Sequence, residues 1–163
     1  MPVANVGARW ASGDSLELFD IGSGTTGMTI TKAGAVTLLA SLTSAGLVCT
    51  PTARTATSDG LTTGTILDGE GWITVTAASA NDIIVLPTPT PGRIVILTVG
   101  ANGFELRSSS PTTVGINGGT GAAAESAIPA STTAILLCET ATAWKGFQSH
   151  GTGGTLTLVE VAA

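Results

Sequence analysis

Few residues in this chain are equipped for covalent chemistry. His150 is the only histidine, and it lies in the turn-like stretch Q-S-H-G-T-G-G. A Ser–His–Asp or Cys–His system needs that imidazole held by a carboxylate beside a nucleophile. No nucleophile motif surrounds it, so it reads as a surface turn histidine. Cys49 and Cys138 are far apart in sequence. One disulfide between them is possible, but two reduced, buried thiols fit better, because no basic segment followed by a long apolar run marks a secretion signal. One histidine and two distant cysteines do not make a structural zinc site. Asp14, Asp20, Asp59, Asp68 and Asp82 follow no calcium-loop spacing. Glu105, Glu125 and Glu139 could pair as glycosidase carboxylates do, but nothing in the sequence places two of them together. A salt bridge to Arg107 or Arg93 is the more ordinary fate. The residues therefore predict no enzyme, no cofactor and no metal.

Residues 22–27 read G-S-G-T-T-G, formally the glycine pattern of a dinucleotide-binding turn. The next segment, M-T-I-T-K-A-G, is strand-like rather than helical. No acidic residue lies about 20 positions on, where Gly46-Leu47-Val48-Cys49 stands. A hairpin turn is the better reading. Trp10, Trp72 and Trp144 could each stack on a sugar. Trp72 and Trp144 sit inside strand patterns, where core or subunit-interface packing is expected. Trp10, in A-R-W-A-S-G-D, precedes the first predicted strand and suits an anchor in a partner's pocket.

Charge narrows the partners. The chain has 163 residues, 6 Lys and Arg, 11 Asp and Glu, and a formal net charge of −5. Its cations, Arg9, Lys32, Arg54, Arg93, Arg107 and Lys145, are scattered, so nucleic-acid binding through phosphates is not expected. No apolar run approaches the ~18 residues of a membrane helix. Charged residues make up 10% of the chain, against about 25–35% of a conventional solvated surface. The remaining surface must be Thr, Ser, Asn and Gly, or must lie against partners.

The elements that position these residues are strands. Thr, Val and Ile dominate in short runs broken by Gly, Pro, Asn and Ser. The expected fold is all-β, with an N-terminal β-meander arm at residues 1–64 and a jelly-roll-like β-sandwich at residues 65–163. In the arm, residues 15–21, 28–32 and 35–39 read as strands, with Leu16 and Leu18 on one side and Phe19 on the other. Residues 50–64 read as a linker, or as an extended segment lying on a partner. So thin an arm is stable if copies intertwine or if it lies on another protein.

Eight strands are expected in the second part: 71–78, 82–87, 92–99, 102–108, 112–117, 132–138, 142–148 and 155–161. Residues 118–131 read as a crossing loop. The unbroken apolar runs at 83–86 and 94–97 predict strands covered on both faces, as at an oligomer interface.

The stretch R-W-A-S-G-D-S-L-E-L-F-D (9–20), with the following Gly turn and T-I-T (29–31), resembles the N-terminal part of tailed-bacteriophage capsid decoration and head-fibre proteins. I-I-V-L-P-T-P-T-P-G-R-I-V (83–95), G-F-E-L-R-S (103–108), I-N-G-G-T-G-A-A-A-E-S-A-I-P-A (116–130) and T-A-W (142–144) are similar to the C-terminal domain of such virion proteins. The resemblance covers most of the chain and is weakest at residues 40–65.

It implies a homotrimer on the outside of a phage head, bound to the major capsid protein and assembled in the bacterial cytoplasm, with no catalytic residues. On that reading Arg9, Trp10, Leu16, Leu18 and Phe19 are the shell-facing candidates. Trp72, Ile84, Leu86, Ile94, Ile96 and Trp144 are the trimer-interface candidates. The alternative function is a head- or tail-fibre host-attachment module, with glycan bound near residues 118–131.

Overall fold

A computed structural model of the chain describes residues 49–149 and 156–163, together with the backbone of His150 and of four strands in the first 48 residues. The chain divides into two units, Met1–Leu47 and Val48–Ala163. The described structure is β throughout, apart from one 3-10 turn at Thr62–Gly64.

The first unit is an antiparallel meander of β1 (Val6–Ala11), β2 (Ser15–Asp20), β3 (Thr26–Thr31) and β4 (Val36–Leu38). The alternation in S-L-E-L-F-D and M-T-I-T predicted β2 and β3. β1 adds a strand that the small residues Gly7, Ala8 and Ala11 conceal. Trp10 therefore lies within a strand, directly across from Leu16. The register aligns Trp10–Leu16–Ile30–Val36 and Leu18–Met28–Leu38. In the same register Arg9 is paired with Glu17. The turn at residues 21–25 lies outside the described residues, although the strands it joins are antiparallel neighbours, as a hairpin requires.

The second unit contains β5 (Thr52–Thr55), β6 (Trp72–Thr76), β7 (Ile83–Val85), β8 (Ile94–Val99), β9 (Phe104–Arg107), β10 (Gly115–Ile116), β11 (Glu125–Ile128), β12 (Thr132–Thr140), β13 (Ala143–His150) and β14 (Leu156–Leu158). The larger sheet runs β10-β13-β12-β8-β6-β5, with β14 also on β13. The smaller one runs β11-β9-β7. Pairing is mixed: β5–β6, β6–β8, β7–β9 and β10–β13 are parallel. A jelly roll is built from antiparallel neighbours; this register is not.

Residues 50–64 are no linker. β5 pairs with β6, and the loop that follows is held to β7 at both ends, by bridges Thr57–Ile83 and Thr65–Val85. Asp59 fixes the loop by accepting from the Leu61 amide (3.0 Å) and the Thr57 hydroxyl (3.0 Å). The unit boundary consequently falls before residue 48 rather than after 64. The expected loop at 118–131 likewise contains β11, antiparallel to β9.

One core joins the two sheets. β6, β8 and β12 send Ile73, Val75, Val95, Leu97, Val99, Ala134 and Leu136 inward. β7 and β9 send in Ile84, Phe104 and Leu106. Trp144, Ile84 and Leu86 are fully buried within this single protomer. The expectation that these three face a neighbouring copy is thus overturned: their surface is spent on the core, the ordinary fate of large apolar groups. The run at 83–86 is covered on both faces by the chain itself, with Gly60 packed against Ile83 and Val85.

The last residues strap the sheets together. The Val159 amide donates to the Gly146 carbonyl, the Ala162 amide to Ile116, and Ala163 and Glu125 exchange backbone bonds. Asn117, in a left-handed conformation (φ 52°), donates to the Gly146 and Val159 carbonyls and accepts from the Gly146 amide.

Candidate interaction surface

Among the described residues, the titratable side chains are spent in separate pairs. Arg54 donates from Nε to Glu70 (3.0 Å) in a mostly buried forked pair, and Glu70 also accepts from the Leu67 amide (2.9 Å). Burial opposes the charge on Glu70, but the Arg54 hydrogen bond and the Leu67 amide outweigh it and hold the carboxyl below its ordinary value. Arg93 pairs with Asp68 at 2.6 Å and Arg107 pairs with Glu125. Of the three glutamates expected to bridge Arg107 or Arg93, only Glu125 does so, on Arg107; Arg93 takes Asp68, and Glu105 and Glu139 have no ion pair among the described residues.

Glu105 and Glu125 do lie on neighbouring strands, two pairings apart in the register of β9 with β11. Burial, followed by the charges of Glu125 and Glu160, raises the Glu105 carboxyl. Among the described residues no group of three metal-ligating side chains gathers. His150 ends β13 opposite Thr132 rather than sitting in a turn; its side chain is outside the described residues. Both cysteines are free, with Cys138 buried and Cys49 exposed, so only one of the two is a core thiol. A groove of about 360 Å³ opens between Leu61, Ile66 and Leu67 on one side and Val85, Leu86 and Pro87 on the other. Asp68 is the one titratable group that lines it.

The outer face of the larger sheet is different. Strand alternation turns Trp72, Thr74 and Thr76 of β6 outward, with Ile94, Ile96 and Thr98 of β8 and Thr133, Ile135 and Leu137 of β12. The register then builds rows across the strands. Trp72 is paired with Ile96, Ile96 with Ile135, Ile135 with Phe147, and Phe147 with Leu158. This is an unbroken apolar row over five adjacent strands, about 19 Å long at the usual strand spacing. Beside it runs Ile94–Leu137–Lys145. On the other flank runs Thr74–Thr98–Thr133–Ser149.

Several of these side chains are open to solvent in the protomer: Trp72 by 37%, Ile94 by 52% and Leu158 by 60%. Trp72 is also fixed in place, since its indole N–H donates to the Thr98 hydroxyl at 3.0 Å. Of the six residues expected at a subunit interface, Trp72, Ile94 and Ile96 fall on this face.

Sequence reasoning missed Ile135, Leu137, Phe147 and Leu158 as surface residues. Their strands were legible, but their outward phase depends on which residues the core claims. The shell-facing candidates Arg9, Trp10, Leu16, Leu18 and Phe19 belong to the meander, where only their strand register is described. Comparison of the chain with protein-family models, with curated proteins and with solved structures finds no match.

Proposed function

We propose that this chain is a non-enzymatic structural protein of a virion, a decoration protein that binds the outside of a phage head as a homotrimer and stabilises it. The observation that carries the reading is the apolar row Trp72–Ile96–Ile135–Phe147–Leu158 on an otherwise finished β unit. A rigid sheet that buries one face in its own core and leaves the other apolar is built to be covered by another macromolecule. The meander of β1 to β4, a unit of its own, supplies the second requirement, an element to engage the shell. The sequence resemblance to phage decoration proteins supplies the partner, the major capsid protein.

On this reading the meander holds the shell and the second unit projects from it. Many weak attachments then add through multivalency. Purified full-length chain mixed with undecorated phage heads should co-sediment with them and raise the temperature at which the heads rupture. Heads that sediment without the chain, and rupture at an unchanged temperature, would overturn the proposal.

A further inference from the structure

We infer that the outer face of the larger sheet is the surface through which copies of this chain meet, and that Lys145 and Glu139 form ion pairs between those copies. The inference deepens the assembly reading above, because it names the occupant of the apolar face: a second copy of the chain rather than the shell protein.

The first argument is charge. Each arginine of the second unit is ion-paired within its own chain: Arg54 with Glu70, Arg93 with Asp68 and Arg107 with Glu125. Lys145 has no such partner among the described residues. It stands on the outer face, directly across from Leu137 at the end of the Ile94–Leu137 row. Two residues beyond Leu137, where the β12–β13 register shifts, Glu139 is exposed and also unpaired among the described residues. The face thus carries one unpaired cation and one unpaired anion at the same end, and is neutral overall.

The chain as a whole has a net charge of −5. Two copies brought together over Glu105 and Glu160, for example, would set like charges against each other. This face avoids that repulsion and offers each copy the charge its neighbour lacks, which fixes register as well as partner.

The second argument is shape. The row crosses β6, β8, β12, β13 and β14, and its middle member, Ile135, lies on β12 with two strands on either side. Trp72 at one end is pinned by its bond to Thr98, so little side-chain freedom is lost on docking. A pinned aromatic at the edge of an aliphatic row has the composition of an interface hot spot.

The test uses the full chain and three surface variants, measured by sedimentation velocity. Wild type should be oligomeric. Leu158→Asp should sediment as a monomer with an unchanged circular-dichroism spectrum, since Leu158 is exposed and contributes little to its own core. Lys145→Glu should weaken association about tenfold, and the exchange Lys145→Glu with Glu139→Lys should restore it. Association unaffected by both Leu158→Asp and Lys145→Glu would overturn the inference, as would a monomeric wild type. Variants that stay oligomeric yet lose binding to phage heads would assign the face to the shell protein, sinking the inference while leaving the decoration reading intact. Variants that dissociate as expected, from a wild type that ignores heads, would uphold the inference and sink the decoration reading.

Discussion

Trp72 and Trp144 show how one residue type takes two opposite roles in one unit. Both lie in strands of the same sheet, yet Trp144 is fully buried while Trp72 is open on the outer face. Trp144→Ala should cost about 3–5 kcal/mol of stability, read as a fall in the chemical-denaturation midpoint. Trp72→Ala should cost under ~1 kcal/mol in the protomer and show its effect in association instead. The Arg54–Glu70 pair gives a second prediction.

Glu70 is held below its ordinary value of 4.5 in the folded chain. A depressed carboxyl stabilises the fold above the unfolded value, and that contribution is lost as pH falls through the folded one. Glu70→Gln should therefore lower stability by about 1–2 kcal/mol at pH 7. The gap between variant and wild type should narrow steadily once the pH drops below 4.5. Urea melts at pH 7, 5 and 3 would check it. Neither role was legible in the sequence. Strand alternation says that two neighbours face opposite ways, but not which face the core will claim. The Arg54–Glu70 pairing likewise depends on a strand, β5, that reads as linker.

At the scale of elements, the sequence exposed those strands whose apolar residues are bulky. β6, β8, β9, β12 and β13 announce themselves through W-I-T-V-T, I-V-I-L-T-V, F-E-L-R, T-A-I-L-L-C and A-W-K-G-F. β5 (T-A-R-T) and β11 (E-S-A-I) do not, because their pairing comes from tertiary contacts rather than from side-chain pattern. Gly119 marks a related feature. A Cβ there would lie 1.8 Å from the carbonyl oxygen of Ala162. Only the absence of a side chain lets residues 159–163 strap the larger sheet to β11. Gly119→Ala should displace that strap, lower stability by more than ~2 kcal/mol, and speed amide exchange at Val159 and Ala162. Unchanged protection at both amides would show that the strap does not depend on this close approach.

For the whole molecule, the scarcity of charge now has a location. In the second unit, the described arginines are spent in internal pairs, and the outer face of the larger sheet is left almost uncharged and crossed by an apolar row. That the surface is unusual for a monomer was visible in composition. That it concentrates on one face emerged only when register aligned Trp72, Ile96, Ile135, Phe147 and Leu158. Assembly through this face is the central claim, and the mass of the full chain in solution tests it most directly. Multi-angle light scattering at micromolar concentration should give a single species of three protomers, about 48 kDa from a chain of 16.0 kDa. A single species at the mass of one protomer, unchanged as concentration rises, would contradict it.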